Sequence, residues 1–342
     1  MPEIYYYTLE QFDHEGDSMA KRLAIGVDLG GTNVRVALGD AEGNILERSA
    51  ERTEKSRGPE GISEQIKRMI NSILTGKIDL REVCGIGIGS AGPLDIKGGG
   101  LMKPTNLPFD FVPLVKPLEE KFNLPTHLLN DCVAAVMGEK YFGLGKDCEN
   151  LVYVTISTGI GGGAYVDGHL LIGKDGNAHE IGHFTIDFEG RLICGCGKKG
   201  HWEAYCSGSG IPNYAKLLIE EGLGKVEGSH LVEEIRKSGF TGVTAKTIYD
   251  HAKAGDKVAE KIVEGIGFLN AIGFACVVDA YDPELITVGG SITLNNPDLV
   301  INPIKRYIIE HARNRLPKIA LTPLGEDAVL YGAMASTLYG RK

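Results

Sequence analysis

Three stretches carry residue types and spacings suited to phosphoryl chemistry. Leu23 to Asn33 reads Leu-Ala-Ile-Gly-Val-Asp-Leu-Gly-Gly-Thr-Asn, an apolar run stopped by Asp28 and then by Gly30 and Gly31, with Thr32 and Asn33 at the rim. It reads as a buried strand feeding a turn. Residues without a Cβ let backbone N–H groups approach a bulky polyanion. Asp28 could hold Mg²⁺ through water, because hard cations on nucleotide phosphates take only one or two protein carboxylates. An ordinary hairpin turn would use the same glycine pair. A second copy of the unit favours phosphate: roughly 130 residues on, Leu151 to Gly163 sends another apolar run into Ser157, Thr158, Gly159 and further glycines, followed by a strand. Neither copy has the Gly-x-x-x-x-Gly-Lys spacing of a P-loop, and neither opens directly into a helix as a dinucleotide fingerprint does. Two strand–turn–strand units suggest two hairpins gripping one nucleotide.

Asn130-Asp131 follows a strand and precedes a helical run, Cys132 to Tyr141. Asp131 in that place suits a helix N-cap. It also suits a general base, since a carboxylate at a strand's carboxyl end can take the proton of a substrate hydroxyl attacking phosphorus. The third stretch runs from His179-Glu180-Ile181-Gly182-His183 to Cys194-Gly-Cys196-Gly-Lys-Lys-Gly-His201-Trp-Glu203. Seven cysteines in a chain of 342 residues, two of them spaced Cys-Gly-Cys, suit thiols and a metal site better than a disulfide framework.

The elements that must position these groups follow from periodicity. After the first turn, Val34 to Leu38 and Ile45 to Arg48 read as strands completing a meander. Ile62, Ile66, Met69, Ile70 and Ile73 trace one face of a helix. Cys84 to Ile88 is a strand, and the loops Gly89 to Asp95 and Pro104 to Pro108 leave the region where ligands gather in α/β sheets. A short helix, Pro117 to Phe122, and a strand, Thr126 to Leu129, follow. The order βββαβαβ predicts a mixed sheet with helices on its faces. Beyond Gly208 the chain becomes helical: Ile262, Ile266, Leu269, Ile272 and Cys276 trace one face of the longest helix. Leu285 to Val288 is a buried strand ending in Gly289 and Gly290, and a last helix covers Asp327 to Tyr339.

Length argues for two domains. We expect a small α/β domain over 21–130, completed by the C-terminal helix 327–342, and a large α/β domain over 131–326 containing a zinc segment at 179–206. The first 20 residues, with Tyr5, Tyr6 and Tyr7 and five acids, read as an extension, and Met19 reads as a second candidate start. A net charge of −9 argues against a nucleic-acid partner. No apolar stretch approaches the roughly 18 residues of a membrane span, so the expectation is a cytoplasmic protein without a membrane partner.

Asp28 to Thr32 and Ser157 to Gly161 resemble the two phosphate motifs of the sugar kinase, Hsp70 and actin superfamily. The segment from Glu180 to Glu203 narrows this: it resembles the ROK family of sugar kinases and repressors, and the likeness covers the chain from about Leu23 onward. The resemblance implies an actin-like ATPase fold, a duplicated ribonuclease H-like unit with mixed sheets and an interdomain cleft. It implies that Glu-x-Gly-His binds sugar hydroxyls while its His joins three cysteines on Zn²⁺. Here the third cysteine position is His201, so His183, Cys194, Cys196 and His201 would form a closed tetrahedral site, with Cys206 as the spare candidate ligand. Unrelated thiols and a surface histidine are the other reading. The resemblance further implies that Asn130, Asp131, Glu180, His183 and Glu203 line the sugar, with the loops at Gly92 and Asn106 closing over it. Asp28, Gly30, Gly31, Thr32, Asn33, Thr158 and Gly159 would hold ATP with Mg²⁺, and Gly289 and Gly290 match the adenosine motif.

The expected function is phosphorylation of a hexose by ATP, glucose first, with Asp131 as base. The alternative is another sugar kinase of the same family, acting on fructose, mannose, allose or an N-acetylated amino sugar. A repressor of the same family would need a winged helix-turn-helix before the first strand, where about 20 acidic, aperiodic residues stand. A filament-forming ATPase would have no use for Glu180, Glu203 and a zinc cluster. A homo-oligomer, dimer or tetramer, is expected.

Overall fold

The computed structural model describes residues 22–74, 78–104 and 106–340. The expected extension and Met19 lie outside them, as does Thr105. The described chain divides into two compact units: one runs to Tyr153 and adds Gly163–Ala178 and the residues from Thr322 onward, and the other holds Val154–Gly162 and His179–Leu321.

The first unit is built on a five-stranded mixed sheet. Its strands are β1 (Leu23–Leu29), β2 (Asn33–Asp40), β3 (Ile45–Arg52), β4 (Val83–Ser90) and, after the short strands β5 (Leu94–Asp95), β6 (Gly100–Met102) and β7 (Phe111–Pro113), β8 (Thr126–Asn130). The spatial order is β3-β2-β1-β4-β8, with β1 antiparallel to β2 and parallel to β4. β1 reads as a near-continuous apolar run because it is covered on both faces, and only Asp28 is half-buried. One cover is α1 (Gly58–Ile73), whose Ile62, Ile66, Met69, Ile70 and Ile73 are buried as the periodicity predicts. After α2 (Val115–Phe122) and β8 comes α3 (Asp131–Tyr141), and the chain's last helix, α11 (Ala328–Leu338), packs on it. A methyl on Gly332 would stand 1.5 Å from the Ala134 carbonyl oxygen, so only glycine permits this approach of α11 to α3. β5, β6 and β7 form a separate antiparallel sheet where the sequence reading has only loops. At two or three residues each, they are too short for alternation to register.

A second five-stranded sheet has the order β11-β10-β9-β12-β13, from β9 (Leu151–Ile156), β10 (Ile160–Val166), β11 (His169–Leu170), β12 (Leu285–Gly289) and β13 (Lys318–Leu321). The helices α4 (Glu203–Cys206), α5 (Ile211–Glu220), α6 (His230–Ser238), α7 (Ala245–Lys253), α8 (Lys257–Tyr281), α9 (Ser291–Asn295) and α10 (Pro297–Tyr307) lie in the second unit. α8 is long and apolar enough to cross a bilayer by length and composition, but two thirds of its most apolar window is buried in the fold, as for a core helix. Its expected stripe holds through Ile262, Ile266 and Leu269. Beyond that the buried face turns to Phe274, Val277 and Val278, and Cys276 faces out. A helix of 3.6 residues per turn drifts off any fixed row of positions over 25 residues, which explains the change.

Candidate functional site

In the first unit, the Gly30–Gly31 turn closes the β1–β2 hairpin with Gly30 N–H donating to the Asn33 carbonyl at 2.9 Å. Thr32 and Asn33 are exposed, as expected of a rim. Thr53 braces the turn from behind: its hydroxyl donates to the Gly30 carbonyl at 2.7 Å and its N–H to that of Thr32 at 2.9 Å. A methyl on Gly31 would lie 2.4 Å from Asn106 Cβ, so the turn and the Asn106 loop meet only because Gly31 has no side chain. Lys55 ties the same loop through its ammonium to the Asn106 carbonyl at 3.0 Å.

Asp28 does not stand alone at the end of β1. Cross-strand register sets Arg35 directly opposite, and the guanidinium takes Asp28 Oδ2 through both Nε, at 3.0 Å, and Nη2. Nη1 reaches Asp327 at 3.1 Å. Burial raises the Asp28 pKa, Arg35 opposes it, and the charges of Asp131 and Asp327 add to the rise. Arg35 was legible from the hairpin register, since two positions equidistant from a tight turn face each other.

β8 carries Asn130 and Asp131 to its carboxyl end. The helix cap is Asn130, whose Oδ1 accepts from Cys132 N at 2.9 Å and Val133 N at 3.4 Å. Asp131 is the first helical residue, half-buried, with one oxygen accepting from Cys132 N at 2.8 Å. Desolvation raises its pKa above the ordinary carboxylate value. Capping and proton transfer are therefore divided between neighbours. The β4 end and the loops complete a small pocket lined by Leu29, Gly31, Ser90, Gly92, Asn106 and Leu107, among others. Ser90 is buried with its hydroxyl on the Leu29 carbonyl at 3.0 Å, and Asn177 accepts from Leu94 N at 3.1 Å, anchoring the loop that holds Gly92.

In the second unit, Ser157 N–H donates to the Gly159 carbonyl at 2.9 Å, shaping the second turn. Residues 207–209 back it: Gly208 N donates to the Ser157 carbonyl at 2.7 Å, and Ser209 Oγ to that of Thr158 at 2.9 Å. The Ser157 and Ser291 hydroxyls lie 3.0 Å apart, which brings the Thr158–Gly159 turn to the Gly289–Gly290 turn at the end of β12. Ser207 and Ser209 went unread in the sequence, although Gly208 and Gly210 around Ser209 mark a tight turn. Glu203, at the start of α4, accepts from Ile160 N through Oε2 at 2.9 Å, and its Oε1 lies 3.6 Å from Cys194 Sγ.

That thiol belongs to a compact set. Donor atoms of His183, Cys194, Cys196 and His201 all lie within 4.8 Å of one another. A knuckle presents the thiols: Gly197 N donates to the Cys194 carbonyl, and Cys194 N to that of Lys198, both at 2.8 Å. His183 Nδ1 faces Cys194 Sγ at 3.6 Å, and His201 Nδ1 faces Cys196 Sγ at 3.3 Å. Two thiols and two imidazoles converging this closely are a donor set for a tetrahedral, borderline-soft cation, so the residues fit zinc. Burial, with the neighbouring Cys196 and Glu203, pushes the Cys194 thiol up to about 12, a penalty that a bound cation would reverse. Cys206, the spare candidate, is fully buried with its thiol toward the Ile266 carbonyl on α8 and lies outside the set. The second nitrogen of His183, expected to meet a sugar hydroxyl, faces Glu180 Oε2 at 3.6 Å.

The model of the ROK family matches residues 24–338, nearly the whole described chain. The chain belongs to the ROK family. A glucokinase of Pyrobaculum calidifontis is 39% identical over 93% of this chain and 95% of its own length. The crystal structure of a ROK family glucokinase from Streptomyces griseus, in complex with glucose and AMPPNP, superposes with a TM-score of 0.72 at 31% identity, covering 91% of this chain and 98% of that one. A xylose repressor of Caldicellulosiruptor bescii is 28% identical over 92% of this chain and 77% of its own. The two mixed five-stranded sheets of this ROK protein are thus those of the actin-like fold that the phosphate motifs led us to expect.

Proposed function

We propose that this ROK protein transfers the γ-phosphoryl group of ATP to a hexose, with glucose the first substrate and Asp131 the general base. Asp131 carries the reading: a half-buried carboxylate, its pKa raised by desolvation and its capping duty taken over by Asn130. Such a group takes the proton of the attacking sugar hydroxyl as the new P–O bond forms and the bond to ADP breaks. The family resemblance assigns Gly92, Asn106, Asn130, Glu180, His183 and Glu203 to the hexose, whose hydroxyls are each donor and acceptor, groups that amides, carboxylates and an imidazole can meet. Asp28, Gly30, Gly31, Thr32, Asn33, Thr158 and Gly159 hold the phosphates, and Gly289 and Gly290 the adenosine. Mg²⁺ arriving with the nucleotide neutralises phosphate charge, and Asp28 keeps Oδ1 clear of Arg35 for its hydration shell. Zinc on His183, Cys194, Cys196 and His201 would be structural, leaving no open position for chemistry. A cytoplasmic homo-oligomer completes the proposal.

The likeness to a repressor favours one other reading, a sugar sensor without turnover. A panel of glucose, fructose, mannose, allose and N-acetylated amino sugars with ATP and Mg²⁺ separates the two. We expect ADP formation with glucose at the highest kcat/KM. Glucose binding by calorimetry without ADP formation from any sugar would establish the sensor instead.

A further inference from the structure

A cavity of about 210 Å³ lies in the first unit, away from the residues assigned to phosphate and sugar. Its walls come from β8 (His127, Leu128), α3 (Met137), β10 and β11 (Tyr165, Leu170) and the loop residue Ile96, and they are mainly apolar. An engineered apolar cavity of about 150 Å³ takes up benzene, so this volume admits one aromatic ring with a small substituent. One polar atom gives the space a chemical preference. His127 Nδ1 lies 2.8 Å from the Ser336 carbonyl oxygen, so that nitrogen carries the proton. Nε2 is then an acceptor, and no described residue donates to it. The Tyr165 hydroxyl is buried against the hydroxyl of Tyr141, which engages it. The other hydroxyls of the lining are engaged: Thr126 Oγ1 with the Leu124 carbonyl at 3.4 Å and Ser336 Oγ with that of Ala333 at 2.7 Å.

We propose that this cavity is a binding site for a small, mainly apolar molecule carrying one hydrogen-bond donor, of the phenol class, with His127 Nε2 accepting from it. The site lies on the strand that ends in Asn130 and Asp131, and on the chain leading to Asn177, so an occupant rests against the supports of the proposed active site. Binding is read without turnover, so this proposal stands or falls apart from the kinase reading.

The test titrates the full chain with phenol and with toluene, which has the same shape and no donor, by ligand-observed NMR. Phenol binds with Kd about 1 mM or below, and toluene at least about 5-fold more weakly, since the acceptor is left unmet. In His127→Phe the two become equal, and in Leu170→Trp, which fills the space, both are lost. Crystals of the unaltered chain soaked in 4-bromophenol show bromine inside the cavity at the end of the ring away from His127, which keeps the test intact should either variant misfold. No saturable binding, equal binding of phenol and toluene to the unaltered chain, or bromine elsewhere overturns the proposal.

Discussion

Asp131→Asn separates the two roles that its position combines. Asparagine retains Oδ1, the oxygen that accepts from Cys132 N, and the cap on Asn130 is untouched, so α3 keeps its start. What is lost is a site for the sugar proton. General-base catalysis contributes about 10²–10⁴-fold, or roughly 2.7–5.4 kcal/mol of barrier at 1.36 kcal/mol per decade. We therefore expect kcat to fall at least about 10²-fold while the glucose Kd moves far less. The raised pKa makes a second, opposite prediction. A carboxyl whose folded pKa exceeds its unfolded value stabilises the fold in its protonated form, and that contribution disappears as pH rises through the folded pKa. Above the unfolded pKa the buried wild-type carboxyl carries a cost that the neutral amide lacks, so at pH 7 Asp131→Asn is the more stable protein, and the difference shrinks toward the acid side. Urea unfolding at pH 7 and pH 4 reads it. Near wild-type turnover at saturating glucose and ATP, or an Asn variant less stable than wild type at pH 7, would refute the reasoning.

Two substitutions test the supports. Arg35→Met leaves Asp28 and Asp327 facing each other without their shared cation; losing charged hydrogen bonds of this kind costs about 1.5–3 kcal/mol, and the loss is larger at pH 7 than near pH 4 because the Asp28 pKa then rises further. Thermal melts at the two pH values check it, and the ATP KM rises with them. His201→Ala lowers zinc content in metal analysis and raises the glucose KM more than the ATP KM, whereas Cys206→Ala leaves zinc content unchanged.

The strand–turn–strand at Asp28 and the α1 face were legible because both are local patterns: a continuous apolar run marks a strand covered on both sides, and a 3,4,7 spacing marks a helix covered on one. The metal set was legible for the same reason, with three of its four members within eight residues. What escaped depends on pairing across the chain. Thr53 braces Gly30 from 23 residues away, and Asp327 meets Arg35 from 292 away, and neither residue type is unusual in its own neighbourhood. The division of labour between Asn130 and Asp131 escaped for a different reason. Both are strong cap formers, and only the backbone angles at position 130, φ −59 and ψ 146, decide which residue stays outside the helix.

The metal segment shows what a chain does where it cannot bury a core. Between His183 and His201, Phe188 is 96% exposed and Ile193 64% exposed, and Ile186 alone of the aliphatic and aromatic side chains is buried. The segment's ends are held by other means. Trp202, the chain's single tryptophan, is fully buried against Phe274 of α8, with Nε1 donating to Asn270 at 2.8 Å. The Tyr205 hydroxyl donates to Asp187 and accepts from Leu192 N at 2.9 Å. These contacts do not involve the four metal donors. Removing zinc with a chelator should therefore loosen the knuckle around Cys194 and Cys196 without exposing Trp202. Tryptophan emission stays that of a buried ring, while trypsin gains access to Lys198 and Lys199 in the released knuckle. Loosening the knuckle bears on the proposed sugar site, because His183 stands between Cys194 and Glu180, with Nδ1 3.6 Å from the thiol and Nε2 3.6 Å from the carboxylate. A red shift of emission in step with cleavage would mean that the ion holds the whole second unit together, and cleavage indifferent to the chelator would mean that it holds nothing.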